Sequence, residues 1–291
     1  MKKEVSFSTT GQRADIGDLT IYRIIPNRYA RAIGPFVFLD HIAPKLHAPD
    51  APRMTTGTGA HPHRGIATLT YLLHGEDEHF DSAGNYAKVN SGGIQWMKAG
   101  NGIIHDETLN VDPLETTGLT HGLQFWVNLP SRQKAEAPQY LSVQAPDVPQ
   151  KKLDEKGSFI KVIAGQYENL TSAIPSYSGQ FIYHLHLQPN ELFSLDTQAG
   201  WEYGAFLPEN PVEINGIRYQ AGEFVEFDRN AGHIEINSTG SSAIDVILFG
   251  GEPYTEPIVA EGPFVMNSKL QIAEAYRDFF NGKYGTIAYN N

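Results

Sequence analysis

The sequence contains no cysteine. Disulfides and thiolate metal sites are therefore excluded, and any metal must be held by histidine and carboxylate groups. It has no run of lysines or arginines either. With a formal net charge of -11 over 291 residues and a pI of about 5.4, direct binding to nucleic acid is not expected. No stretch approaches the roughly 18 consecutive apolar residues of a membrane span. The opening MKKEVSFSTTGQ carries two lysines but no apolar core of a signal peptide. The expected location is the cytoplasm, with no membrane partner.

What is present is a normal globular composition, 41% hydrophobic and 19% charged, in a chain long enough for about two domains. Runs such as ATLTYLL, FIYHLHL, EFVEF and AIDVILF are separated by turn signals such as GQRAD, SAGN, INGIR and STGSS. With 28 glycines and 18 prolines, the pattern is all-β, of the sandwich or barrel type. One helix is predicted, in NSKLQIAEAYRDFFNGKYG near the C-terminus. Ser268 and Gln271 have capping-box spacing, Leu270, Ala273, Tyr276 and Phe280 make an apolar stripe, and Gly282 stops the helix. Its expected role is to cover a sheet face.

The polar stretch 131–157, rich in proline, lysine and glutamate, is the expected connection between two domains. An internal repeat supports the division. GPFVFLDHIAP at 34–44 aligns with GQFIYHLHLQP at 179–189, with four identities in eleven positions, so that His41 faces His186. The expected domains are 1–133, carrying the metal, and 146–291, without metal and including the helix.

The segment GAHPHRG raises the functional question. In an extended strand His61 and His63 share one face, while Pro62 and Arg64 point the other way. Arg64 is then expected to be a surface or salt-bridge residue. A second pair, His105 and Glu107 in GNGIIHDE, has the same spacing, with Gly100 and Gly102 placed to turn the chain back. Two such pairs on neighbouring strands converge four ligands on one ion. Zn²⁺ would make this a closed tetrahedral site. Fe²⁺, Mn²⁺, Co²⁺ or Ni²⁺ would leave about two octahedral positions open. Glu107 also qualifies as a general base beside a substrate hydroxyl. His74 and His79, flanking GEDE, are expected at a solvent-exposed rim. His184 and His186 repeat the spacing, and His233 with Glu235 looks like a second copy of the site. The repeat argues against that copy, because Asp196 and Gln198 stand where the first histidine pair would be.

The sequence resembles the cupin superfamily, and more closely its pirin family of bicupins, in HPHRG, DSAGN, GNGIIHDE, LQFWVNLP and GPFVMNS. These motifs are spread over nearly the whole chain. The usual first cupin motif places a glutamate after His-x-His. Here His61, His63 and Gly75 fit, Thr68 occupies the glutamate position, and pirins take their carboxylate from the second motif instead. The resemblance implies two tandem cupin (double-stranded β-helix, or jelly-roll) barrels with a C-terminal helix. It also implies one Fe²⁺ held in the N-terminal barrel by His61, His63, His105 and Glu107, with Mn²⁺, Co²⁺, Ni²⁺ or Zn²⁺ as substitutes. Two roles are open under it. One is a dioxygenase that cleaves quercetin or a similar flavonol or enol with O₂ and releases carbon monoxide. The other is an iron-dependent, redox-sensing regulator that binds a protein partner.

Overall fold

Alternating side chains become strands throughout the chain. In Leu192–Thr197, for example, Phe193, Leu195 and Thr197 are buried while Leu192, Ser194 and Asp196 face out. The computed structural model describes residues 1–17, 19–55, 57 and 59–289. The chain forms two compact units. One comprises Met1–Gln12, Arg23–Phe36 and Val148–Tyr254; the other comprises Arg13–Tyr22, Val37–Asp147 and Thr255–Asn291.

Each unit carries a seven-stranded and a four-stranded sheet. In the first unit the larger sheet has the order Val5–Thr10, Glu223–Phe227, Glu202–Phe206, Ile244–Gly251, Gln180–Leu187, Phe159–Ala164 and Gln150–Lys152. In the other unit's sheet the first five places are taken by Gln139–Val143, Ile94–Lys98, Ile66–His74, Leu119–Asn128 and Phe36–Leu46. The two repeated sequence segments thus become the strands Phe36–Leu46 and Gln180–Leu187 at the same place in the same order. The same strand plan is built twice.

The units do not coincide with consecutive halves of the chain. The N-terminal strand Val5–Thr10 pairs antiparallel with Glu223–Phe227, so the first residues complete the sheet of the C-terminal repeat. The C-terminal helix Lys269–Phe280 belongs to the unit of the N-terminal repeat. Within 131–157 the chain is structured rather than a plain linker. Gln139–Val143 pairs with Ile94–Lys98, and Gln150–Lys152 pairs with Phe159–Ala164.

The helix is capped as its sequence predicts. Ser268 Oγ accepts the Gln271 N–H, and the Gln271 side chain accepts the Asn267 N–H at 2.9 Å. Its buried stripe differs from the expected one. Leu270 and Phe280 are exposed, whereas Ile272 and Ala275 are buried, with Tyr276 and Phe279 packed around Phe264 and Met266. The stripe 272, 275, 276, 279 has helical spacing too, and the strand pair Val259–Glu261 with Phe264–Met266 lies on that side. Among the described residues no helix is long and apolar enough to cross a membrane.

In the first unit His184 and His186 both donate to Asp245 Oδ1, at 2.7 and 2.8 Å. Burial opposes the charge on Asp245, but the two imidazoles outweigh it and hold the carboxyl well below the usual carboxylate range. A depressed folded-state pKa stabilises the fold above the unfolded value near 4 and loses that contribution as the pH falls. An Asp245→Asn variant is therefore expected to be about 1.5–3 kcal/mol less stable at neutral pH. The gap to the parent protein should close in urea titrations taken progressively below pH 4.

Candidate metal centre

The strand His61–His63 is the edge of the other unit's four-stranded sheet, followed by Ile103–Asn110, Glu76–Asp81 and Tyr86–Val89. An edge place suits Pro62, which has no N–H to give to a ladder. The antiparallel register sets His61 opposite His105 and His63 opposite Ile103. The turn that returns the chain into this strand uses Gly102 at φ +126°, where a Cβ would also meet the Tyr284 ring at 2.1 Å. On the far side of the same strand, His105 pairs with Asp81 and Glu107 with His79. Paired residues share a face, so three histidine-bearing strands present their side chains to one interior.

Among the described residues two groups bring three ligating atoms within 4.8 Å of one another: His61, His63 and His105, and His79, His105 and Glu107. In the first group the His61 Nδ1–H donates to the Gly59 carbonyl at 2.8 Å, and the His63 Nδ1–H donates to the Pro263 carbonyl at 3.1 Å. Each bond fixes the tautomer and leaves Nε2 with its lone pair. His105 Nε2 lies 3.1 Å from His61 Nε2. His63 and His105 are 2% and 0% exposed. Burial, reinforced by the neighbouring His61, lowers the His63 pKa to about 3. Burial and the other imidazoles push His105 far down as well. Both rings are therefore neutral at physiological pH, the state a metal requires. Three imidazoles converging on one point, His63 and His105 buried and neutral, His61 and His63 with their outer nitrogens tied to carbonyls, fit a divalent cation.

Glu107 stands next on the same face. Its Oε1 is 3.8 Å from His105 Nδ1 and 3.9 Å from His79 Nδ1, and its Oε2 accepts from Gln124 Nε2 at 3.1 Å. The structure thus gathers His61, His63 and His105 tightly and sets Glu107 against the other edge of the His105 ring. Arg64 makes the expected salt bridge, with Asp278 at 2.8 Å.

His79 is not at a solvent rim. It is 1% exposed, stacked on Tyr140 with ring centroids 4.3 Å apart, and its Nε2 is 3.3 Å from Asp81 Oδ2. Burial opposes a charge on His79, but the Asp81 and Glu107 carboxylates outweigh it and push its pKa up to about 9. Asp81 is held by the DSAGN turn, where it accepts the Ala83 and Asn85 N–H groups at 3.0 Å and the Asn85 side chain at 2.8 Å. The every-second-residue spacing of Asp77, His79 and Asp81 in EDEHFD is the signal that places them inward. Buried Asp77 accepts from Gln95 Nε2 at 2.8 Å, and burial together with Glu107 raises its carboxyl well above the usual range.

The strand Leu119–Asn128 supplies two further residues that spacing alone does not single out. Besides Gln124, Trp126 packs edge-on to His63 with centroids 4.9 Å apart and stacks on Phe38 at 4.2 Å. Among the described residues its buried Nε1 has no hydrogen-bond partner. A flat aromatic wall thus borders the imidazole cluster.

Lys134 braces the cluster from behind. Its Nζ donates to the Gly65 carbonyl at 2.6 Å, Asn128 Oδ1 at 2.5 Å and the Val265 carbonyl at 2.8 Å. Gly65 follows the histidine strand and Val265 lies two residues after Pro263, so this amine, its pKa lowered to about 7 by burial, ties together the two segments that flank His63. A Lys134→Met variant is expected to lose about 2–4 kcal/mol of stability. It should also bind metal more weakly, which thermal melting and metal titration would read separately.

Residues 19–127 match the family described as Pirin, and residues 182–285 match the Pirin C-terminal cupin domain. Pirin-1 of Arabidopsis thaliana is 32% identical over 88% of this chain and 85% of its own length. A pirin-like protein of Caulobacter vibrioides is also 32% identical, over 94% of this chain and 92% of its own. The crystal structure of a quercetin 2,3-dioxygenase from Acinetobacter baumannii superposes with a TM-score of 0.90 at 32% identity, covering 99% of this chain and 100% of that one. The repeated strand plan is that of two cupin domains. The chain belongs to the pirin family.

Proposed function

We propose that the imidazole cluster holds one divalent metal, Fe²⁺ by preference, through His61, His63, His105 and Glu107, and that the centre serves a dioxygenase acting on quercetin or a similar flavonol or enol. The observation that carries this reading is the convergence of three imidazoles, those of His61 and His63 with tautomers fixed by backbone carbonyls, beside the Trp126–Phe38 wall. The likeness to the Acinetobacter dioxygenase over the whole chain supports it.

When bound, the metal supplies Lewis acidity and a coordination place for oxygen chemistry. The chain's own residues do the rest. Phe38 and Trp126 offer a planar face against which a flat flavonol lies, excluding water from the reacting ring. Gln124 holds Glu107 Oε2 and leaves Oε1 free to take the proton of the 3-hydroxyl. His79, itself held by Asp81, sets a positive charge 3.9 Å from that oxygen. The ring carbons are oxidised, both oxygen atoms enter the ring-opened product, and one ring carbon leaves as carbon monoxide.

The test is anaerobic reconstitution with Fe²⁺, then aerobic incubation with quercetin. Metal-dependent loss of flavonol absorbance with one carbon monoxide per flavonol supports the proposal. No turnover by protein carrying one metal per chain, with Fe²⁺, Mn²⁺, Co²⁺ or Ni²⁺, would overturn it and leave the regulatory reading.

A further inference from the structure

Between the proposed ligands His105 and Glu107 stands Asp106, a residue of the motif GNGIIHDE with no place in the metal set. Alternation along Ile103–Asn110 turns it to the opposite face of the sheet. It is nevertheless only 3% exposed. Its Oδ1 accepts the Gly59 N–H at 3.1 Å and the Glu107 N–H at 3.0 Å, and its Oδ2 accepts the Tyr289 hydroxyl at 2.8 Å. Tyr289 is steadied by Phe80, the cross-strand neighbour of Asp106, with ring centroids 5.3 Å apart. Gly57 lies so close that a Cβ there would fall 1.8 Å from Asp106 Oδ1 and 2.2 Å from its Cγ. The backbone that leads into His61 is pressed onto this carboxylate.

These contacts reach the metal centre through one residue. Gly59, at φ +110°, gives its N–H to Asp106 and receives the His61 Nδ1–H on its carbonyl at 2.8 Å. His61 needs such a support. Its strand is three residues long and lies at the edge of the sheet, and its ladder with Ile103–Asn110 ends at the His61–His105 pair. The His61 residue is partly exposed, whereas His63 and His105 are buried. Core packing therefore does not choose which ring nitrogen of His61 points inward. The Gly59 carbonyl does. Asp106 begins where the ladder stops, and it ties that carbonyl to the strand carrying His105 and Glu107.

We propose that Asp106 is a positioning residue of the metal centre. Its carboxylate fixes Gly57 and Gly59, and the Gly59 carbonyl then keeps His61 in the Nδ1–H tautomer with Nε2 open to the metal. This role rests on the proposed ligation by His61, but the support itself exists without metal.

Two readouts test it, one of them in metal-free protein. Heteronuclear NMR of histidine-labelled apoprotein at mildly alkaline pH should show His61 and His63 as Nδ1–H tautomers, assigned through His61→Gln and His63→Gln. In Asp106→Ala, His61 should become a mixture containing the Nε2–H tautomer, while His63, held by the Pro263 carbonyl, stays unchanged. Asp106→Asn keeps an acceptor for the Gly59 N–H and should restore the His61 tautomer. Calorimetric titration with Ni²⁺ should give a Kd about 10–100-fold higher in Asp106→Ala. Gly57→Ala leaves every polar side chain in place, and it should raise the Kd in the same direction by pushing the backbone off the carboxylate. An unchanged His61 tautomer in folded Asp106→Ala, or a Ni²⁺ affinity equal to the parent's, would overturn the proposal. Equal disturbance of His61 and His63 would also overturn it, by reducing Asp106 to a general support of the fold. A parent protein that binds no Ni²⁺ would remove the ligand reading instead, and the tautomer result would still decide whether Asp106 orients His61.

Discussion

A His105→Ala variant is expected to lose both its metal and its turnover, the latter by on the order of 1,000-fold, or about 4 kcal/mol of transition-state stabilisation. His105 is the shared member of both three-residue groups, so its removal dismantles either arrangement. It sits at the middle of the sheet, opposite His61 on one side and Asp81 on the other. The ring is completely buried, so the variant should also lose about 1–3 kcal/mol of stability from the cavity left behind. Metal content and thermal melting therefore have to be read together. A folded variant with full metal content would show that His105 is not a ligand. Two companions sharpen the result: His61→Ala should lose metal, whereas His79→Ala should retain it.

The second large effect concerns the carboxylate. Glu107→Gln keeps the size and the contact with Gln124 but removes the proton acceptor at Oε1. General-base roles typically contribute 10²–10⁴-fold, and a fall in kcat within that range is expected. Metal content should stay near one per chain at saturating metal, since three imidazoles remain. Steady-state kinetics at matched metal loading would check this. Unchanged kcat would remove Glu107 from the chemistry, and complete metal loss would make it a structural ligand above all.

Much of this centre is legible from local sequence because its geometry is local. His61 with His63 and His105 with Glu107 each sit two apart, and extended chain turns that spacing into a shared face. Gly100 and Gly102 announce the turn between them. His79 is misread for an equally physical reason. GEDEHFD is so polar that it suggests a solvent rim, yet Asp77, His79 and Asp81 all point inward, where Gln95, Tyr140 and the DSAGN turn satisfy them. Burial of three ionisable groups in a row is decided by partners on other strands, which no window of sequence contains.

The same holds for Leu270 and Phe280 in the helix. Two apolar stripes of helical spacing are available, and only the position of Phe264 and Met266 decides which is covered. The N-terminal strand is a further case. Nothing in VSFSTT names Glu223–Phe227 as its partner, because that pairing is made by topology across more than two hundred residues. Gln124 and Trp126 were hidden in a strand whose alternation is clear but whose facing depends on the sheet opposite.

The most direct test of the metal assignment is anomalous diffraction at the iron edge from Fe²⁺-loaded crystals. One peak is predicted, about 2.0–2.2 Å from Nε2 of His61, His63 and His105 and from a carboxylate oxygen of Glu107. A peak held by His79, His105 Nδ1 and Glu107, or none at this face of the sheet, would contradict the account.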